Sequence, residues 1–227
     1  MGVLGATGPA GRGLVSRLAS VGFRVYAGSR DPAKAEATVK QLVDRWGDRI
    51  ARIEPVHNSE AAKQGEIVVL GTAAAATVDT AAEYAEVLAG KPLVSMASSM
   101  KKVGASFQYP TGPHVRVGRH IVPTPEGSIA AAVQRAAPEA LVAAALHHVP
   151  AAALANLEKP VLGDVVVVSD HLEALRAAEA LVSALPDLRA LDGGGLANAL
   201  SLESFTAVIL TVNLRYGGRA TLQLLPS

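Results

Sequence analysis

The chain is 227 residues, half of them hydrophobic and 18% charged, which excludes a disordered chain and leaves room for one large domain or one domain with a small appendage. Lys plus Arg is 21 and Asp plus Glu is 20, so no charge excess points to nucleic acid or an anionic membrane as partner. There is no Cys, which removes disulfides, thiolate metal sites and a thiol nucleophile and fits a cytoplasmic protein. The longest apolar run, Ile67 to Val78, is about twelve residues against the roughly twenty of a membrane span, and the N-terminus has no signal-peptide pattern.

In chain order, Met1–Leu4 reads as a strand, shorter than usual before a glycine turn. Gly8–Val21 reads as a helix with Leu14, Val15, Leu18 and Val21 on one face, and Phe23–Ala27 as a strand. Pro32–Trp46 is a helix capped by Asp31. Ala51–Pro55 is a weak strand and Glu66–Leu70 a strong one; Val78–Leu88 is a helix and Pro92–Met96 a strand. Met100–Pro125, with Pro110, Gly112, Pro113, Gly118, Pro123 and Pro125, reads as a long functional loop. Glu126–Ala137 is a helix, Ala140–Leu146 a sixth strand, Ala151–Leu157 a short helix and Gly163–Ser169 a buried strand. His171–Leu185 is a helix with Asp170 as its expected cap, Leu188–Leu191 a strand, and Leu196–Leu214 a long apolar helix. This alternation predicts an α/β fold, a doubly wound parallel sheet of Rossmann type, with a boundary near Pro150. Residues 1–150 would bind the nucleotide and 151–227 form a small C-terminal α/β domain.

Gly5-Ala6-Thr7-Gly8-Pro9-Ala10-Gly11 follows a strand and opens a helix. The three glycines permit a tight turn, close approach of a pyrophosphate, and close packing of helix on strand. The helix N-terminus offers N–H groups and partial positive charge to phosphate. Where an NAD site carries an acid, this chain has Gly28-Ser29-Arg30, with Lys34 a turn later. Ser can donate to a 2′-phosphate and Arg can pair with it, so the pattern predicts NADP(H). No Tyr is followed by Lys four residues later, and neither His-Glu-x-x-His nor Gly-x-Ser-x-Gly occurs. His147 and His148, adjacent on a strand, would face opposite sides and share no metal. No catalytic acid–base dyad and no metal site are expected.

These pieces resemble the NADPH-dependent reductases of coenzyme F420, a deazaflavin. The resemblance rests on Gly5-Ala6-Thr7-Gly8-x-x-Gly11-x-Gly13-Leu14, Gly28-Ser29-Arg30 with Lys34, and Glu126-Gly127-Ser128. It continues through Ala144-Ala145-Leu146-His147 and Pro150-Ala151-Ala152. It ends with Leu191-Asp192-x-Gly194-x-Leu196-x-Asn198, Glu203-Ser204-x-Thr206 and Asn213-Leu214-Arg215-Tyr216. It implies hydride transfer between NADP(H) and coenzyme F420 as co-substrate, in a cleft between two domains. Gly5, Thr7, Gly8, Pro9, Ala10, Gly11, Ser29, Arg30, Lys34, Thr72, Ala76 and Ala151 would hold NADP(H). His147, Asn198 and Ser204 would bind the deazaflavin.

Two loops depart from the family pattern: Gly71-Thr72-Ala73-Ala74-Ala75-Ala76 lacks its Pro, aromatic and His, and Ser95-Met96-Ala97-Ser98-Ser99-Met100 lacks its Pro-rich run. The Met100–Pro125 segment is expected to supply the missing wall. The alternative chemistry is NADPH-dependent reduction of a small ketone or imine, with His147 or His148 as proton donor. A non-catalytic NADPH-binding protein is the alternative of another class. The apolar C-terminal helix allows a homodimer.

Overall fold

The computed structural model describes residues 1–109, 114–117, 120–123, 127–218 and 220–225. Its first half winds as the periodicity predicts. Strand β1 (Gly2–Leu4) leads into helix α1 (Pro9–Ser20), β2 (Val25–Ser29) and α2 (Pro32–Trp46). Then come β3 (Ile53–His57), α3 (Asn58–Gln64), β4 (Val68–Leu70), α4 (Ala74–Glu83), α5 (Ala85–Leu88) and β5 (Pro92–Ser95). Asp31 caps α2 as expected, its carboxylate accepting the Ala33 and Lys34 N–H groups at 3.1 and 3.4 Å.

Two expectations change here. Helix α4 starts at Ala74 rather than Val78, because the Ala-rich stretch has the highest helix propensity available. Helix α3 was not anticipated at all. Its seven residues offer only Ala61 and Ala62 to the core, too little to show as a periodic stripe.

The segment read as a long loop contains two antiparallel hairpins. They are β6 (Lys101–Val103) with β7 (Ser106–Gln108), and β8 (His114–Val117) with β9 (His120–Pro123). The first packs on the C-terminal helix and the second lies against α4. Pro110, Gly112, Pro113, Gly118, Pro125 and Glu126 lie outside the described residues.

Helix α6 (Ile129–Ala136), β10 (Leu141–Ala144) and α7 (Ala151–Leu154) follow. The chain continues through β11 (Gly163–Ser169), α8 (Leu172–Ser183), β12 (Leu188–Asp192) and α9 (Ala199–Tyr216). Asp170 does not cap α8. Its carboxylate accepts the Leu196 N–H at 2.9 Å instead, pinning the short turn ahead of α9 to the end of β11.

One eight-stranded sheet runs in the order β12-β11-β10-β5-β4-β1-β2-β3. Every neighbouring pair is parallel except β10 with β11, so the strands beyond residue 150 extend the same sheet. One face carries α1, α2 and α8, with Leu14, Leu18, Val39, Ala178 and Leu181 in its core. The other carries α3 to α6, with Ala61, Ala81, Leu88, Ile129 and Val133. The chain leaves β1 toward β2 and β3, then returns to the opposite side of β1 as β4. A crevice opens at that reversal, beyond the carboxyl ends of β1 and β4, and it is where a doubly wound sheet takes its ligand.

Among the described residues, α9 with the turn before it is the one helix long and apolar enough to cross a bilayer. Its Glu203, Thr206, Ala207 and Ile209 are buried. Thr211 further along it accepts the N–H of Phe107 in β7, so the helix is docked on the body of the protein.

Candidate functional site: a dinucleotide groove at the sheet reversal

Gly5 opens the turn after β1 with φ +76, a conformation that strains any side chain. A Cβ there would also stand 2.7 Å from Thr72 Cγ2, so the turn lies tight against the loop after β4. Gly8 is the N-cap of α1 and Pro9 its first residue. Pro9 has no N–H to lose, and its fixed φ suits the helix start. No acidic residue stands in this first turn, and Arg12 N–H already bonds Gly8 O. Among the described residues nothing accepts from Ala10 or Gly11 N–H, the amides a pyrophosphate would take.

A groove of about 480 Å³ lies in front of this turn. It gathers Gly5, Thr7 and Gly8 from the first loop and Ser29, Arg30 and Lys34 from the end of β2. Thr72 and Ala76 border it on the side of β4 and α4. Pro9, Ala10 and Gly11 form the helix turn behind it. Ala151 is not among its lining residues; its carbonyl packs where a Cβ on Gly13 would stand, 2.7 Å away, joining α7 to α1.

Asn58 and Thr80 also line the groove, and sequence reading missed both. Asn58 Oδ1 accepts the Gly5 N–H at 3.2 Å, so this buried amide braces the glycine turn. The signal available was a polar Asn directly after a strand end. A separate cleft of about 350 Å³ lies under residues 221–225, where Arg189 pairs with Asp164 at 2.8 Å. It is far in topology from the reversal and holds none of the turn residues.

At the end of β2 the chemistry fits a phosphate. Ser29 is buried and its Oγ accepts the Asp31 N–H at 3.2 Å, which leaves its O–H proton free to donate into the groove. Arg30 is exposed. Lys34 Nζ sits 3.9 Å from Asp31 Oδ2, while Oδ1 of the same carboxylate caps the helix. A dinucleotide with a 2′-phosphate therefore fits the residues present: an open glycine turn, two unclaimed amides, and a hydroxyl with two cations where the ribose would end.

The residues assigned to the acceptor are not gathered in this groove. His147 lies beyond β10, after Leu146, which itself takes φ +64. Among the described residues its Nε2 is buried without a partner, as is Ser95 Oγ at the end of β5. These two orphaned atoms lie past neighbouring strands, where Ala145 N–H bonds Ser95 O. Asn198 stands at the start of α9, its amide donating to Gly193 O at 2.8 Å. Ser204 Oγ donates to Ser201 O at 3.1 Å.

Burial first, then repulsion from His148, pushes the His147 imidazole down to about 3. His148 is lowered mainly by burial, although its Nε2–H donates to Asp164 O at 2.8 Å. Both rings are thus neutral near pH 7. As pH falls below about 6.5 the unfolded chain takes up protons that these rings refuse, so acid destabilises the fold. Glu203 opposes this. Burial pushes it up to about 7 despite three hydrogen bonds, so the folded chain keeps a proton the unfolded chain loses above about 4.5. Two histidines against one glutamate leave a net loss of at most ~1.4 kcal/mol per pH unit on acidification from about 6.5 to 4.5. Urea midpoints measured across that range should fall with pH, and His147→Asn should flatten the trend.

The comparisons agree with the groove. A family model described as "NADP oxidoreductase coenzyme F420-dependent" matches residues 1–99. The F420-dependent NADP reductase of Methanocaldococcus jannaschii is 32% identical over 96% of this chain and 94% of its own length. That of Methanothermobacter marburgensis is 30% identical over 94% of this chain and 92% of its own. In fold, the chain is similar to the crystal structure of a candidate F420-dependent NADP reductase from Arthrobacter sp. FB24. The TM-score is 0.75 and the identity 24%, covering 99% of this chain and 98% of that one. With the glycine turn, the basic end of β2 and full-length kinship at this level, the chain belongs to the F420-dependent NADP reductase family.

Proposed function

We propose that the protein transfers a hydride between NADP(H) and the deazaflavin coenzyme F420. The observation that carries this reading is the groove itself: a glycine turn with unclaimed amides stands beside Ser29, Arg30 and Lys34 at the end of β2, with Thr72 and Ala76 opposite across the reversal of the sheet. The kinship with proteins named F420-dependent NADP reductase supplies the acceptor. Residues 1–150 carry the nucleotide together with His147 on the acceptor side, and residues 151–227 close that side with Asn198 and Ser204. Gly5, Thr7, Gly8 and Thr72 hold the pyrophosphate and the ribose beside it; Ser29, Arg30 and Lys34 hold the 2′-phosphate.

The nicotinamide, when bound, supplies the hydride. The glycine turn with Ser29, Arg30 and Lys34 would hold the nucleotide and Asn198 and Ser204 the deazaflavin, so that proximity and orientation would provide most of the catalysis. No proton need move at a side chain, which suits His147, the imidazole assigned to the acceptor, held neutral by its burial. The enzyme works in the cytoplasm with small-molecule partners and without nucleic acid or membrane. Phe205, Val208, Val212 and Tyr216 form an exposed stripe along α9, spaced three and four residues apart, and this stripe supports a homodimer.

Mixing the purified protein with NADPH and oxidised deazaflavin should bleach both absorbance bands together; NADPH consumption with a cyclic imine or ketone but not with deazaflavin would replace this reading. The role of His147 is separable. As a neutral hydrogen-bonding group its loss in His147→Ala should lower kcat/KM about tenfold with an unchanged pH profile. A loss above about a thousandfold, with disappearance of a titration near neutral pH, would make it a general acid and favour the ketone or imine reaction.

A further inference from the structure

Glu203 is fully buried in the second turn of α9. A buried carboxylate is expensive unless its oxygens are satisfied. Here they are. Oε2 accepts the Ile129 N–H at 2.9 Å and the Tyr109 O–H at 2.9 Å, and Oε1 accepts the Ala130 N–H at 3.0 Å. Ser128 completes the accounting at this helix start: its Oγ takes the Ala131 N–H at 3.1 Å and its carbonyl takes the Ala132 N–H. All four initial amides of α6 are thereby paired, two of them by a side chain from another helix.

The same residue reaches a third element. Its backbone carbonyl accepts the Ser98 O–H at 2.6 Å, from the segment after β5. Tyr109 follows β7, which is itself tied to α9 by Phe107 and Thr211. Glu203 therefore joins α9 to α6, to the loop after β5 and to the end of the first hairpin.

Ser204 has no such anchor: among the described residues its side chain bonds Ser201 O, one turn back on the same helix. Where it stands depends on how α9 is seated, whereas Asn198 lies in the turn that Asp170 pins to the end of β11. We propose that Glu203 is a positioning residue for the acceptor: it clamps α9 on the start of α6 and so fixes Ser204, its neighbour on that helix, toward the deazaflavin. This rests on the functional reading above for the identity of the acceptor, while the clamp itself stands on the hydrogen bonds.

Gln cannot replace it. Each oxygen receives a backbone N–H, so either orientation of an amide would set N–H₂ against N–H. Glu203→Gln should raise the KM for deazaflavin about tenfold and leave the NADPH Kd within about twofold. Amide exchange should quicken at residues 129–131 and 199–204 and stay unchanged at residues 5–11. Tyr109→Phe keeps both helix amides capped and should give the same split at about two- to threefold. If Glu203→Gln does not fold, Tyr109→Phe decides by the same criteria. Parallel losses for NADPH and deazaflavin, or exchange that rises everywhere or nowhere, would overturn the clamp. If the wild-type protein reduces no deazaflavin, the functional reading fails. The exchange pattern and the NADPH Kd then judge the clamp alone: changes confined to those two segments uphold it, and changes spread over the glycine turn reject it.

Discussion

Arg30→Asp is expected to weaken NADPH binding by on the order of 2–3 kcal/mol, which is roughly 30- to 150-fold. The substitution removes a guanidinium at the mouth of the groove and puts a carboxylate where a phosphate dianion must lie. Two contributions add, a lost charge-assisted contact and a new repulsion. Lys34 and the Ser29 hydroxyl remain, so binding is weakened rather than abolished. NADH carries no 2′-phosphate and should lose much less, with a carboxylate able to accept from its ribose hydroxyls. Titrating both nucleotides into both proteins by fluorescence checks this; an equal loss for NADH and NADPH would mean that Arg30 does not read the 2′-phosphate.

Gly11→Ala should cost about 3 kcal/mol of stability and weaken NADPH binding more than tenfold in whatever folds. The added methyl would run into the Gly5 carbonyl oxygen and come within 2.8 Å of Ala6 Cα. Both are backbone, so no side chain can swing aside. Helix α1 must lift from β1, and the Ala10 and Gly11 amides move with it. Gly8→Ala is the contrasting case, since a Cβ there meets nothing nearer than 3.6 Å and Gly8 has an extended φ of −77. Thermal melts of the two variants should differ widely, with Gly8→Ala close to wild type in stability; its methyl, facing the groove, should weaken NADPH binding without unfolding the turn.

The groove at the glycine turn was legible because its chemistry is local. A glycine turn, a proline-led helix and an Asp that caps its own helix each declare themselves within a few residues, and the groove assembles from them. Asn58 was not legible. It reaches Gly5 from 53 positions away, and the short helix it begins has no apolar stripe to announce it. Asp170 failed for a related reason: a cap position predicts where an acid can bond, and here a distant amide, that of Leu196, competes for it.

The acceptor half is harder still. Asn198 and Ser204 come from resemblance, not from spacing. That Glu203 is buried and paired with the start of α6 is a tertiary fact about four elements, invisible in a helix that reads as mostly apolar. The depth of His147 likewise depends on strands and helices that cover it; adjacency to His148 says nothing of whether either ring reaches solvent.

The central claim is direct hydride transfer between two stacked carriers, and isotope transfer tests it most directly. NADPH deuterated at the reacting carbon should be incubated with the protein and oxidised deazaflavin in ordinary water, and the reduced deazaflavin examined by mass spectrometry and proton NMR. The account predicts one deuterium on the reduced deazaflavin ring, with no dilution by solvent protons and with transfer from a single face of the nicotinamide. Reduced deazaflavin carrying solvent hydrogen at that carbon, or deuterated NADPH recovered unchanged, would contradict it.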